Sequence, residues 1–476
     1  MQAVRHWSVR HARGLKRVYD ICARVAPLLG GAVRRLGSGR TERLLLPVER
    51  AAKRVLFDCR MCGQCALSHT GMACPANCAK GMRNGPCGGV RPDGSCEVDA
   101  SMRCVWVEAT DGRKRIAANG IASHADAPLL APLDHRRAGR STLVPLIAGH
   151  PVPATVAAPT ATAEAPPPPR ERPAHEFELA CRSGRFVVTA EVAPPDSADP
   201  AALIERAARF HGLVDAVNIT DGAGGNCHMS SMAAAAVLSA QGMPAVAQIA
   251  CRDRNRIAAQ GDILGAAALG VRNILCLTGD HVAGGDQPEA KPVFDLDAVS
   301  LLRVARDMRD RGMFASGRKL AVPPDLFLGA TCNPFVPPFA DRVANLERKV
   351  EAGAQFIQTQ FCFDLDRFAE FLRAVRERGL HKRCALIVGV GTLGSAKALH
   401  WMAEHVPGVH VPQSVIERVA RAADQRAEGK RILVETMQTL AGMEGVAGVH
   451  LMGHRNESVL ADAIVESGLR TRKTAA

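Results

Sequence analysis

"NLERKVEAGAQFIQTQFCFDLDRFAEFL", residues 345–372, holds a strand-like run between two helix-like stretches. The run "QFIQTQF" (355–361) is too short for a helix of its own and is rich in β-formers. The pattern repeats on both sides. "RFVVTAEV" (185–192), "VDAVNIT" (214–220), "PAVAQIA" (244–250), "VRNILCLTG" (271–279), "LFLGATC" (326–332), "CALIVGV" (384–390) and "AGVHLMG" (447–453) are short β-branched runs. Each reads as a parallel strand buried on both faces rather than a half-exposed one. Eight strand–helix units in about 300 residues is the arithmetic of a (β/α)8 TIM barrel. A doubly wound open sheet is the second choice, because no glycine-rich dinucleotide turn follows the first strand.

Working outward, the 476-residue chain divides into four regions. Residues 1–50 form a basic arm, 51–122 a cysteine-rich module, 123–175 a Pro/Ala-rich linker and 176–472 the barrel. The linker ends "PVPATVAAPTATAEAPPPPRERPA" (151–174), a composition that builds no core and favours an extended chain. No stretch of eighteen apolar residues exists, so no transmembrane helix is expected. The net charge is +13, but residues 1–54 alone contribute +10, with thirteen Lys or Arg against Asp20, Glu42 and Glu49. The rest is nearly neutral, which argues against nucleic acid as a partner. The arm itself reads as a basic amphipathic helix for weak contact with an anionic membrane or acidic partner, or as a solvated helix packed on the next module. Its Arg-rich, acid-poor composition also suits a targeting segment.

Sixteen cysteines are present, eight of them between Cys59 and Cys104. The others are scattered singly, several in apolar strand-like runs, which fits buried free thiols in a reducing cytoplasm. That makes a disulfide framework the weakest reading of the cluster. Two residues separate Cys59 from Cys62 and Cys62 from Cys65; Cys74, Cys78, Cys87, Cys96 and Cys104 follow, with Pro75 directly after Cys74. This spacing tilts toward a [4Fe–4S] cluster, with zinc as the alternative. His69 lies among them and reads as a surface residue.

In a barrel of this kind the chemistry sits where strands end. Glu191 follows strand one, Thr220 and Asp221 strand two, Gln248 strand three, Asp280 strand four, Asn333 strand five and Gln360 strand six. Strand seven runs into "GVGTLG". Amides and carboxylates converging on one mouth suit a polar heterocycle. Two carboxylates in one pocket permit one protonated and one charged group.

"EVAPP", "VDAVNITDGAGGN", "GVRNILCLTGDH", residues 345–372, "LIVGVGTLGSAKAL" and "GVAGVHLMG" together resemble the flavin-dependent methylenetetrahydrofolate reductases. The resemblance covers residues 176–472. It implies a tetrahydrofolate substrate and flavin-dependent interconversion of 5,10-methylene- and 5-methyltetrahydrofolate, feeding methionine synthesis or methyl-group catabolism. Glu191 matches the family's general acid. Asp280 matches the carboxylate beside flavin and folate, and Gln360 the glutamine on the folate. Thr220, Gln248, Thr278, Gly279, Asn345, Arg348 and Lys349 match flavin-contacting positions. Three positions depart from the pattern: Gln248 stands where many members have His, Thr278 where many have Arg, and Ala396 where members that use NADH place an aromatic residue. The first two leave FAD, the first choice, against FMN open. The third weakens direct use of NAD(P)H.

The segment "FDCRMCGQCALSHTGMACPANCAKGMRNGPCGG" (57–89) with "GSCEV" resembles the small cysteine-rich subunit that partners such reductases in acetogenic bacteria. There it carries iron–sulfur clusters and passes electrons to the flavin. The resemblance spans about residues 42–110 and implies a redox partner protein as the electron source. A homo-oligomer is compatible with all of this. The alternative is a non-catalytic folate- or flavin-binding protein whose zinc-held cysteine module docks a redox or methyltransferase partner.

Overall fold

The structure, a computed structural model, describes residues 2–117, 127–156, 172, 174–392, 394–453 and 455–471. It divides into two compact units, Met1–Ala165 and Pro166–Ala476.

The second unit is a closed barrel of eight parallel strands in sequential order. They are β1 (Val187–Val192), β2 (Ala216–Ile219), β3 (Ala245–Ala250), β4 (Asn273–Leu277), β5 (Phe327–Cys332), β6 (Phe356–Phe361), β7 (Ala385–Gly391) and β8 (Gly448–Met452). Closure, with β1 paired to β8 through Val187↔Gly448, rules out the open sheet. Strand residues are buried almost without interruption, because helices cover the outer face and side chains fill the inner one. The amino-terminal end of the barrel is sealed by apolar packing. Phe177, from the short helix Glu176–Arg182, meets Phe327 and Phe356 edge-on with centroids 5.6 and 5.3 Å apart. These rings join Val187, Ala216, Val246, Leu275 and Ile387, near the strand starts. Gly329 of β5 is required there, since a Cβ would enter the Phe356 ring. With that end plugged, the open mouth lies at the strands' carboxyl ends.

The first unit contains helices α1 (Gln2–Arg10), α2 (Ala12–Val25), α3 (Gly30–Leu36), α4 (Ser38–Phe57), α5 (Val105–Ile116) and α6 (Leu143–Ile147). Between α4 and α5 the cysteine segment is nearly all turns. The arm packs on that segment. Arg5 lies 3.4 Å from Asp58, Gln2 donates to the Ser101 carbonyl at 2.8 Å, and Ala12 and Leu15 cover Leu67 and Met72.

The expected linker of residues 123–175 differs in its middle. Residues 127–156 fold onto the cysteine segment, while most of the proline-rich stretch (157–171 and 173) lies outside the described residues. Arg83 donates to the Ala131 carbonyl, Asn84 brackets Leu130, and the Gly139 N–H donates to the Met61 carbonyl at 2.7 Å. Glu49 of α4 accepts from the Thr142 N–H at 3.1 Å and from the Ser141 hydroxyl. Val144 and Ile147 join the apolar cluster of Ala26 and Val33. The segment is held by backbone groups and two short apolar turns, which leave no periodic trace in sequence.

The buried carboxyl of Glu108 on α5 makes this unit pH-sensitive. Burial, reinforced by Asp111, pushes it up to about 7 against the pull of Arg5 and Arg103. Its Oε1 meets His6 Nδ1 at 3.1 Å and its Oε2 is buried without a partner. A raised folded value means that the native chain holds a proton the unfolded chain has already released. Stability is therefore fully present below the unfolded value and is lost as pH rises toward 7. Glu108→Gln is expected to match the parent near pH 4 and to exceed it by about 1–3 kcal/mol at pH 8. Melting curves that stay parallel across this range would contradict the assignment.

Candidate functional site

At the barrel mouth, Glu191 of β1 stands above a buried polar layer that sequence reading did not anticipate. Asn218 (β2) and Gln358 (β6) exchange amide hydrogen bonds of 2.6 and 3.1 Å across the interior. The Gln358 amide also donates to Thr189 Oγ1 at 3.3 Å. Thr189 Oγ1 lies 2.9 Å from His450 Nδ1 and 3.5 Å from the Val449 carbonyl. The other ring nitrogen, His450 Nε2, faces Glu191 Oε2 at 3.9 Å. Gln248 of β3 approaches the same oxygen, with Nε2 at 3.5 Å. Four inward-facing polar residues on otherwise aliphatic strands were the available signal, since each must find a partner when buried.

Other predicted residues separate by what they touch. Thr220 is buried just past β2, and its Oγ1 has no partner, as a hydroxyl waiting for a ligand would. Asp280, three residues past β4, is exposed and accepts the Gly224 N–H at 2.8 Å. Gly225 and Gly285 pack backbone to backbone beside that bond, so the two rim loops are laced together. Thr278 is buried, with Ala298 N–H 3.4 Å from its hydroxyl. Gly279 adopts φ +91°, and a Cβ there would press to 3.0 Å of Ala250. Gln360 is half-buried and accepts from the Phe361 N–H.

Two strand-end residues are structural. Asp221 accepts from Arg254 at 2.6 Å and from the Ala250 N–H at 2.8 Å. Asn333 bridges the Gly408 carbonyl and the Phe335 N–H.

Asn345, Arg348 and Lys349 share one face of the helix Ala340–Ala352, after β5. All three are buried, and Lys349 Nζ donates to the Thr331 carbonyl at 2.6 Å. Burial pulls the Arg348 guanidinium below its ordinary value, against Asp341 and Asp297. The three form a polar stripe on the buried side of that helix. Within the barrel, then, Glu191, Gln248 and His450 form one group, Asp280 with the Gly224 loop a second, and the helix stripe a third.

No disulfide forms among the described residues, and in the first unit the eight cysteines of the module line two separate pockets. Cys59, Cys62, Cys65 and Cys74 line one, beside Lys53. Cys78, Cys87, Cys96 and Cys104 line the other, beside Lys80, Glu97 and Trp106. Among the described residues no three His, Cys, Asp or Glu are drawn close enough to hold a metal ion. Each pocket carries a Lys–Glu ion pair, Lys53 with Glu49 and Lys80 with Glu97. The Cys59 thiol is pushed down to about 6 by a hydrogen bond from Cys74, helped by the Met61 N–H and Lys53. Burial pushes Cys78 up to about 12 and, with Glu97 beside it, raises Cys87 well above its ordinary value. Asp58, Met61 and Met72 around the first pocket hold positive φ without being glycine, the strain expected where a loop is shaped for a site.

Comparison with known proteins agrees with both halves. A family profile described as methylene-tetrahydrofolate reductase C terminal matches residues 39–128, here on the amino-terminal side of the barrel. A probable methylenetetrahydrofolate reductase (NADPH) of Caenorhabditis elegans is 23% identical over 244 residues, half of this chain and 34% of the relative. Methylenetetrahydrofolate reductase 2 of Schizosaccharomyces pombe is 26% identical over 239 residues, 48% of this chain and 37% of the relative. The chain thus spans about a third of the length of these curated relatives. Among solved structures, an uncharacterized protein from Clostridium thermocellum, described as binding two copies of 5-methyl-5,6,7,8-tetrahydrofolic acid, is 15% identical. That likeness covers 61% of this chain and 96% of that one, with a TM-score of 0.41. The profile described as methylenetetrahydrofolate reductase matches residues 176–468, the whole barrel, and the chain belongs to that family.

Proposed function

We propose that this chain interconverts methylene- and methyltetrahydrofolate with a bound flavin, and that its cysteine module, equivalent to the acetogen partner subunit, exchanges the electrons. The observation that carries the reading is Glu191, a carboxyl at the mouth facing His450 Nε2 and the Gln248 amide over a hydrogen-bonded polar layer. Glu191 donates the proton that lets the methylene bridge open, and Asp280 would face the cation that results. A fixed carboxylate stabilises such a cation without reorganising at the moment of reaction. Gln360 holds the folate, and Thr220, Gln248, Thr278, Gly279, Asn345, Arg348 and Lys349 would hold the flavin. The unpartnered Thr220 hydroxyl and the buried polar stripe fit such a group. When bound, flavin supplies hydride transfer to and from the one-carbon unit.

Four thiols line each pocket, the number that ligates an iron–sulfur cluster. Bound clusters supply one-electron transfer. Ala396 sits at the first turn of the helix Ala396–His405, with its N–H donating to Gln425, and offers no ring to a nicotinamide. This supports electron exchange through the cysteine module rather than direct NAD(P)H use. The Pro/Ala/Thr-rich residues 157–171 would tether the two units covalently and raise their effective concentration.

The test is optical. Anaerobically purified protein is expected to be yellow, and excess 5-methyltetrahydrofolate should bleach its flavin band. A protein that binds no flavin, or whose flavin is indifferent to the folate, would exclude the reading.

A further inference from the structure

The first unit turns the wrong faces of two helices outward. On α2, Val18, Ile21 and Val25 recur along one face and are 57, 59 and 48% exposed, while small Ala12 is fully buried. Leu28, just beyond, is 80% exposed. On α4, Leu44, Val48 and Val55 also share a face, each about two-thirds exposed. A lone exposed aliphatic needs no explanation, but runs of them on two helices mark a surface that something covers.

The charge beside these stripes says what. On α2, Arg13, Arg17 and Arg24 stand on one flank of the apolar face. On α4, Arg43, Arg50 and Arg54 occupy the same flank of theirs, all exposed. The carboxylates of the arm do not offset them. Asp20 is held by Lys16 at 2.6 Å, Glu42 accepts from the Ser141 N–H at 3.0 Å, and Glu49 is buried against Lys53. What remains outward is aliphatic and cationic.

We propose that α2 and α4 seat this protein on an anionic lipid surface, arginines at the headgroups and aliphatic stripes in the acyl boundary. A second copy is a poor occupant, because it would oppose arginine with arginine. The helices lie on the surface rather than cross it: among the described residues no helix is long and apolar enough to span a membrane.

The full chain is to be sedimented with vesicles of phosphatidylcholine alone and of phosphatidylcholine with one-quarter phosphatidylglycerol. Binding is expected only to the anionic vesicles and should weaken with salt. Ile21→Glu with Leu44→Glu should weaken it roughly tenfold or more, and Arg13→Gln with Arg17→Gln should both weaken it and flatten the salt dependence. All four side chains are exposed, and unchanged melting temperature verifies folding. Absence of binding, equal binding to neutral vesicles, or no loss in the Glu variant overturns the proposal. So does concentration-dependent self-association that the Glu variant abolishes, which would assign the face to a second copy.

Discussion

Glu191→Gln is expected to lower folate-dependent turnover on the order of 10²–10⁴-fold while flavin content stays at the parent level. Glutamine keeps the size and the hydrogen-bonding reach of glutamate, so the neighbours should stay in place. The Gln248 amide at 3.5 Å and the His450 Nε2 at 3.9 Å still meet an oxygen. What the substitution removes is the proton that Glu191 can give and take back. The proposed flavin-holding stripe of Asn345, Arg348 and Lys349 belongs to a different element, the helix after β5, and none of its described bonds involves Glu191. Bound flavin and turnover should therefore separate cleanly. Stopped-flow bleaching by 5-methyltetrahydrofolate, set beside reduction of the same protein by dithionite, reads the two apart. Near-parent folate kinetics would remove Glu191 from the acid role. Loss of flavin together with turnover would mean that Glu191 shapes the site rather than acting in it.

The strands were legible because each is built largely of apolar and β-branched residues, a pattern forced by burial on both faces. The observed β1 to β8 fall within the eight runs read from sequence, save for Gly391 at the end of β7. The strand-end rule located Glu191 and Asp280 for the same reason, since topology puts every strand's last residues at one mouth. It could not say which of those residues are already satisfied. Asp221 and Asn333 look like ligand groups in sequence and are consumed by backbone and Arg254. The layer of Asn218, Gln358, Thr189 and His450 was hidden for the opposite reason. No member sits at a strand's last position, and only closure of the barrel brings β1, β2, β6 and β8 across from one another. Residues 127–156 were hidden because their attachments are backbone carbonyls and amides, which every sequence has.

Cysteine spacing alone does not say how many sites eight thiols make; the structure sorts them in chain order, four and four. Under the iron–sulfur reading the anaerobically purified chain should contain about eight iron atoms, two clusters of about four. Cys62→Ser strikes only the first pocket and should remove about half of that iron. Cys87→Ser strikes only the second and should remove the other half. The two losses should be independent, because no cysteine lines both pockets. Their consequences should differ. The first pocket holds strained Met61 and leans on Lys53, which ties into Thr142 of the 127–156 segment, so Cys62→Ser should loosen that segment to proteolysis. The second packs against Trp106 and Met102, with Arg5 of α1 donating to the Met102 sulfur, so Cys87→Ser should loosen the arm. Iron analysis and paramagnetic resonance of the dithionite-reduced variants measure the first claim, and limited proteolysis the second. Loss of all iron from either single variant would mean one shared site. About two zinc ions per chain and no paramagnetic signal would replace the electron-carrying role with a structural one.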